Sequence, residues 1–515
     1  MAGAGSSLYL PRLTRRGRPP LRRLLSDAGL GAIAALGLAP FGLWAITPVA
    51  FSILLWRMMA ARPGAVFWHA LAAGFGWFAL ALSWIVEPFL VEPEIYGWMA
   101  PFALLLMALG GALFWALPSW AAAGFSSGRS RLLAVAAALI LSDWLRGWIF
   151  TGFPWALIGH AWIDTPVAQL AAWFGAPGLG ALTMALALLP HLARRGAATG
   201  VAAILPGLAL ALLVTGAAWA AGLSRLAAPG PADTDVMLRI VQPNATQHLK
   251  WDPEWSQVFF QRLIDLSAEP GPRDLVIWPE TAVNFLLDEA GAVLPAMSDA
   301  AGAPLVMGIQ RRDGSRFYNS LAVIGQGGRV GQIYDKFHLV PFGEYIPWGD
   351  ALSRVGISAF AAQQGNGYSA GPGPAILSAP GVPDFQPLVC YEAIFPQHLR
   401  GLDDRPGWLL QATNDAWFGR ISGPYQHLAQ ARMRAIETGL PLIRAANTGV
   451  SAVVDSRGTI RDSLDLNTQG KIDARLPSAL PPTPWMRWGN IPVVTALTLI
   501  LLIIGLARRP VLRRS

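Results

Sequence analysis

The stretch Phe385-Gln386-Pro387-Leu388-Val389-Cys390-Tyr391-Glu392 carries the single cysteine of the 515-residue chain. Pro387 to Val389 reads as the end of a short buried strand, and Cys390 to Glu392 as the turn that leaves it. A thiol on a rigid strand end is well placed for nucleophilic attack, provided that a nearby base or cation raises its thiolate fraction. Without such partners, a lone cysteine in this position is as readily a small core residue. The rest of the chain has to supply them.

Two other predicted strand ends do so. The run Asp274-Leu275-Val276-Ile277-Trp278-Pro279-Glu280 ends in a carboxylate directly after an apolar strand, where Pro279 forbids further ladder pairing. Val330-Gly331-Gln332-Ile333-Tyr334-Asp335-Lys336 follows a glycine turn and ends in an ammonium. Attack on an acyl carbonyl needs a nucleophile, a group that takes and returns its proton, and a fixed positive charge for the developing oxyanion. Cys390, Glu280 and Lys336 fit those roles in that order. Each of the two charges taken alone is equally a strand-end group facing water.

Composition sets the surroundings. Hydrophobic residues make up 53% of the chain and charged ones 14%, too apolar a balance for an ordinary soluble enzyme. The net charge of +8 comes largely from arginine clusters beside apolar runs, the pattern that orients a membrane protein; no nucleic-acid partner is expected. One cysteine excludes an internal disulfide framework and a multi-cysteine metal site, and suits an oxidising compartment. No His-Glu-x-x-His helix or clustered ligands occur, so neither a metal nor another cofactor is expected.

Residues 1–25 form a basic tail with Arg12, Arg15, Arg16, Arg18, Arg22 and Arg23, read as cytoplasmic. No small-residue cleavage site follows, so an uncleaved anchor is expected. Residues 26–222 form a membrane domain of about seven apolar segments, near 26–42, 45–61, 65–86, 98–123, 131–149, 166–192 and 199–221. Arg57 with Arg62, Arg129 with Arg131, and Arg194 with Arg195 fall at alternate turns, and Glu87, Glu92 and Glu94 between them. The arginine turns are assigned to the cytoplasm. After Ala227-Ala228-Pro229-Gly230-Pro231 the composition shifts to an α/β domain over 233–478, with strands predicted near Met237, Leu275, Leu305, Leu321, Trp408 and Ser451, and a helix from Tyr425 to Thr438 stopped by Gly439. A last apolar segment, 490–508, returns the chain to a basic cytoplasmic tail, 509–515. That parity, about eight helices with both termini inside, places the α/β domain outside the cell membrane.

Glu280 after Trp278-Pro279, Lys336 after Asp335, and Cys390-Tyr391-Glu392 resemble the Glu-Lys-Cys triad of the nitrilase superfamily of carbon-nitrogen hydrolases. With the membrane segments, the whole chain resembles the apolipoprotein N-acyltransferase family through Thr151-Gly152-Phe153-Pro154-Trp155, His338-Leu339-Val340-Pro341-Phe342-Gly343-Glu344, Asn414-Asp415-Ala416-Trp417-Phe418-Gly419 and Gln430-Ala431-Arg432-Met433-Arg434-Ala435. The resemblance implies a polytopic helical bundle carrying an αββα sandwich, in the bacterial inner membrane with the catalytic domain in the periplasm. It implies ping-pong transfer of the sn-1 acyl chain of a phospholipid, typically phosphatidylethanolamine, through a Cys390 thioester to the α-amine of the diacylglyceryl-cysteine of an apolipoprotein. Glu344, Glu392, Tyr391, Asn319 and Trp251 match family positions that support the site.

Simpler readings stand beside these. Glu344 can order its own loop, Glu392 can hold backbone donors, Asn319 can be a turn residue, and Trp251 can pack at the membrane interface. His338 and His427 invite a Cys-His reading without its local signature. Arg146, in a membrane loop, suits a phospholipid head group or a structural salt bridge. The apolar stretch Ile346 to Tyr368 is expected to act as a mobile lid that keeps water from the thioester. A membrane-tethered amidase that uses water as acceptor, and a non-enzymatic transporter or receptor, are the rival functions.

Overall fold

The computed structural model describes residues 18–194, 201–347 and 367–507. The tail arginines Arg12, Arg15 and Arg16, Arg195, the C-terminal arginines from Arg508 on, and nearly all of the expected lid lie outside the described residues. The chain divides into two compact units. One comprises the residues up to Phe89, Ile95–Ala228 and those from Arg487 on; the other comprises Leu90–Glu94 and Pro229–Met486.

The first unit is helical: α1 (Leu21–Ala35), α2 (Ile46–Met59), α3 (Pro63–Ala81), α4 (Ala100–Gly124), α5 (Gly128–Leu145), α6 (Ala171–Leu192) and α7 (Leu205–Ala227), with a final helix at Ile491–Ala507. Four helical stretches, Pro63–Ala81, Pro93–Gly124, Pro166–Leu192 and Leu205–Ala227, are long and apolar enough to cross a membrane; Ile46–Met59 and Ile491–Ala507 are apolar but shorter. Each of the seven segments expected before residue 222 contains a helix, with shifted bounds. The first ends at Ala35 and leaves Pro40 in a turn, whereas Pro48 sits in the first turn of α2, where no intrahelical N–H is lost. The fifth starts at Gly128 behind a capping box made by Ser127 and Ser130.

Arg146 faces inward. Its Nη1 donates to the carbonyls of Phe153 (2.6 Å) and Trp155 (2.7 Å), its Nη2 lies 3.3 Å from Asp143, and it is 4% exposed. Asp143 in turn accepts from Trp115 Nε1 (3.0 Å) and the backbone of Ile158 (3.2 Å). These contacts offset the cost of burying the charge, so Arg146 ties down the 146–158 loop and is not displayed to a lipid head group.

The second unit holds two six-stranded sheets. Its strands are β1 (Met237–Gln242), β2 (Leu275–Ile277), β3 (Leu305–Asp313), β4 (Arg316–Ile324), β5 (Val330–Asp335), β6 (Leu377–Ala379), β7 (Val382–Val389), β8 (Trp408–Thr413), β9 (Leu442–Ala446), β10 (Ser451–Val454), β11 (Ile460–Leu464) and β12 (Gly470–Arg475). One sheet runs β12-β1-β2-β3-β4-β5 and the other β11-β10-β9-β8-β7-β6. At the centre of each, three strands are parallel, β1-β2-β3 and β7-β8-β9. β2 is apolar throughout, while β1, β8 and β9 are buried along nearly their whole length yet carry Arg239, Gln411 and Arg444, each held by hydrogen bonds.

On the first sheet, α8 (Pro253–Ala268) and α9 (Leu294–Ala301) pack Leu263 and Met297 against Trp278 and Met307. On the second, α10 (Gly423–Thr438) packs Leu428 and Ala431 against Leu388, Leu409 and Leu442. It stops at Gly439, whose φ of +69° suits a residue without Cβ. Side chains bridge the sheets, as where Ser451 donates to Gln242 at 2.6 Å. The unit is therefore a four-layer αββα sandwich.

Candidate active site

Cys390 comes directly after β7 with φ +51°, a left-handed conformation that a non-glycine residue keeps only when its surroundings impose it. Glu392 does much of the imposing. One carboxylate oxygen accepts from the backbone N–H of Phe337 (2.9 Å) and His338 (3.2 Å) and from the Tyr334 hydroxyl (2.8 Å); the other accepts from the N–H of Val389 (2.7 Å). Burial pushes Glu392 up to about 7, while four donors suit its ionised form. Glu392 thus organises the backbone around Cys390. The Tyr391 ring lies edge-on to Phe395. His338 stacks on Phe395 at 3.8 Å, and its Nδ1 is 3.2 Å from His398 Nε2.

The first sheet brings the other groups. Gly308 on β3 lets the Pro279–Glu280 segment pass close by, since a Cβ there would lie 2.4 Å from the Pro279 carbonyl oxygen. Glu280 accepts from Asn319 Nδ2 (2.7 Å) on β4 and from the backbone N–H of Asn414 (2.7 Å). Lys336, one residue past β5 and 1% exposed, sits 3.6 Å from Glu280 and 2.8 Å from Glu344. Asn319 Nδ2 also donates to Glu344 (3.0 Å), and the N–H of Val340 donates to Glu344 as well (2.8 Å). Burial alone would push the Lys336 ammonium down, but Glu344 and Glu280 outweigh it and the group is raised, so it stays charged.

These charges bear on the thiol. Burial and then Glu280 push the Cys390 thiol up, and Lys336 pulls it down without overcoming them. The resting group is a thiol, so its proton has to leave to a base as the sulfur attacks. Lys250 is a residue that sequence reasoning passed over. It is 4% exposed, and burial lowers it to about 8 against the opposing pull of Glu280. Its neighbour Trp251 is half-buried and, among the described residues, joins no hydrogen bond with Glu280, Lys336 or Cys390. Lys250 is thus a buried ammonium that feels the charge of Glu280.

Beneath the nucleophile lies a polar cluster of the second sheet. Gln411 Nε2 donates to the Cys390 carbonyl at 3.2 Å and lies 3.0 Å from His427 Nε2. His427 Nδ1 is 3.0 Å from Asp415, which also accepts from Thr413 at 2.9 Å and pairs with Arg444. Burial would raise the Asp415 carboxyl, but Arg444 and His427 bring it to about 2; burial and Arg444 lower His427. Neutral His427 with its proton on Nδ1 donates to Asp415 and accepts from Gln411. Its 3.1 Å approach to the Cys390 carbonyl becomes a hydrogen bond only on protonation. His427 therefore addresses the backbone of Cys390, and the Cys-His reading finds no support in this contact. The string Asn414-Asp415 was visible in the sequence, but its link to Arg444 was not.

The Apolipoprotein N-acyltransferase N-terminal domain family matches residues 30–189, and the Carbon-nitrogen hydrolase family matches residues 238–480. The chain is 37% identical to the apolipoprotein N-acyltransferase of Rhodopseudomonas palustris, over 93% of this chain and 94% of that protein. It is 37% identical to that of Bradyrhizobium diazoefficiens, over 96% of each, and 38% identical to that of Brucella melitensis, over 94% and 96%. Among solved structures, a CN-hydrolase superfamily protein from Xanthomonas campestris is similar with a TM-score of 0.36 at 21% identity, over 51% of this chain and 97% of that one. An amidase from Nesterenkonia is similar with a TM-score of 0.35 at 19% identity, over 47% and 93%. With that identity sustained across nearly the full length of several relatives, the chain belongs to the apolipoprotein N-acyltransferase family.

Proposed function

We propose that this acyltransferase works by a ping-pong mechanism with Cys390 as nucleophile, Glu280 as general base and acid, and Lys336 as oxyanion stabiliser. The observation that carries the reading is the placement of Glu280 and Lys336, 3.6 Å apart on ends of the first sheet, with both charges acting on the thiol of the second. The acyl donor is the sn-1 ester of a phospholipid, phosphatidylethanolamine foremost. Cys390 Sγ attacks the ester carbonyl as Glu280 takes the thiol proton; the oxyanion forms beside Lys336, the C–O bond breaks, and the proton passes to the departing lysophospholipid oxygen. The acceptor is the α-amine of the S-diacylglyceryl-cysteine of an apolipoprotein. It attacks the thioester, Glu280 takes its proton, and the proton returns to the sulfur as the C–S bond breaks.

Glu344 holds the Lys336 ammonium, Asn319 ties Glu344 to Glu280, and Tyr391 and Glu392 shape the backbone of the nucleophile. Residues 26–222 and 490–508 cross the inner membrane in about eight spans. Both basic ends are cytoplasmic, and residues 233–478 form the catalytic domain in the periplasm. Support for this orientation comes from the arginines at alternate turns.

The test is intact-protein and peptide mass spectrometry after incubation of the purified protein with phosphatidylethanolamine alone. The expected result is an acyl adduct on Cys390 that a diacylglyceryl-cysteine peptide discharges as an amide. Discharge by water at the same rate would make the protein a hydrolase. Turnover retained in Cys390→Ala would remove Cys390 from the mechanism.

A further inference from the structure

The helical unit contains a second charged site with no part in the reaction described above. A cavity of about 300 Å³ opens between the start of α1, the end of α2 and the start of α3, and is lined by Arg18, Arg23, Arg57, Arg62 and His69. At its edge Asp27, fully buried, spends one oxygen on Arg57 and the other on His69 Nδ1 at 2.6 Å. Arg57 also donates twice to Ser26, at 3.1 Å each. Asp27 and Arg57 therefore neutralise each other.

The remaining arginines have no counter-charge among the described residues. Among the described residues Arg18, Arg23 and Arg62 form no ion pair. Arg18 is held over the Trp68 ring at 5.0 Å, which fixes where its guanidinium stands. Three like charges converging on one cavity repel one another unless an anion occupies it.

The backbone adds to the same field. The first turns of α1 and α3 both border the cavity, and neither contains an acidic residue or a side-chain cap. Both helix starts therefore present positive dipole ends that no acidic side chain opposes. The one negative helix end nearby, at the end of α2, is already engaged: Arg131 donates to the carbonyls of Met59 and Ala61.

We propose that the cavity between the start of α1 and the α2–α3 turn binds a phosphate-type anion, held by Arg18, Arg23 and Arg62. Guanidinium pairs match phosphate oxygens in a bidentate manner, and the cavity accommodates a single phosphate or phosphodiester. Two sources supply that chemistry, the head group of an anionic phospholipid and a free phosphate.

The experiment uses the full chain, purified in an uncharged detergent and stripped of lipid. Ether-linked phosphatidylglycerol, which cannot acylate Cys390, ether-linked diacylglycerol with the same tails, and inorganic phosphate are each titrated and bound species are counted by native mass spectrometry. Phosphatidylglycerol is expected to bind and diacylglycerol not. Arg23→Gln combined with Arg62→Gln weakens binding by at least about tenfold, whereas Arg22→Ala, which removes an equal charge from the same helix outside the cavity, changes it by less than about twofold. Phosphatidylglycerol bound with no uptake of inorganic phosphate at millimolar concentration assigns the site to a lipid head group. Inorganic phosphate that binds alone and displaces the lipid assigns it to the free anion. Undiminished lipid binding by the double variant, or equal loss in Arg22→Ala, overturns the proposal. Melting temperatures confirm that each variant is folded, and Arg23→Ala with Arg62→Ala gives a second pair for the same comparison.

Discussion

The two sheets of the catalytic unit each bury a charged cluster against Cys390, and the clusters differ in balance. The first sheet sets two carboxylates, Glu280 and Glu344, around one ammonium, Lys336. The second sets one carboxylate, Asp415, against one guanidinium, Arg444, with a neutral histidine between. A balanced buried pair has no spare capacity and fixes geometry. In the first cluster Lys336 faces two carboxylates, and the second cation that acts on Glu280 is Lys250, lowered to about 8, so the charge of Glu280 is met by two ammonium groups rather than by one fixed pair. On the mechanism proposed above, the first sheet supplies the proton and charge chemistry, while the second holds the backbone of Cys390 through Gln411.

That division predicts the largest effect for Glu280→Gln. The amide oxygen keeps only one of the hydrogen bonds from Asn319 and Asn414, because its NH2 cannot accept the other; the fold loses some stability, and acylation of Cys390 by phospholipid falls by about 10²–10⁴-fold. Mass-spectrometric acylation rates measure this, and a near-normal rate would break the contrast between the sheets.

Next in size is stability. Lys336→Ala leaves two buried carboxylates without their cation and lowers unfolding free energy by about 3–5 kcal/mol along with activity. Cys390→Ala abolishes turnover yet changes stability by no more than about 1 kcal/mol. Denaturant unfolding of the two variants side by side decides it, since equal losses would mean that the first-sheet charges carry no special burden.

The smallest effect lies in the second sheet. His427→Gln loosens the floor under Cys390 and lowers kcat by about ten- to a hundredfold with KM little changed. His427 also gives the cluster a pH signature. Because its folded value lies below 6.5, the unfolded chain binds a proton there that the folded chain does not. Stability is therefore full above 6.5 and is lost as pH falls below it, by up to about 1.4 kcal/mol per unit. Thermal unfolding across that window should show a flatter slope in His427→Gln; an unchanged slope would assign the acid sensitivity to other groups.

Periodicity and composition alone laid out a good deal of this protein. The apolar segments, the α/β alternation of short apolar strands with a helix that stops at Gly439, and the three strand ends carrying Glu280, Lys336 and Cys390 are all local patterns, since burial writes itself into neighbouring residues; the αββα layering came only from the family resemblance. Contacts across the sandwich do not. The N–H of Asn414 reaches Glu280 across 134 residues, and Tyr334 reaches Glu392 across 58. No spacing rule encodes either, because strand order and sheet stacking set them. Only the tertiary structure therefore decided that Glu392 gathers backbone donors, that Lys250 lies in the field of Glu280, that His427 and Arg444 lie beneath the backbone of Cys390, that Arg146 is held by its own loop, and that four arginines line one cavity. Charge in a sequence states what must be neutralised; the fold determines by what.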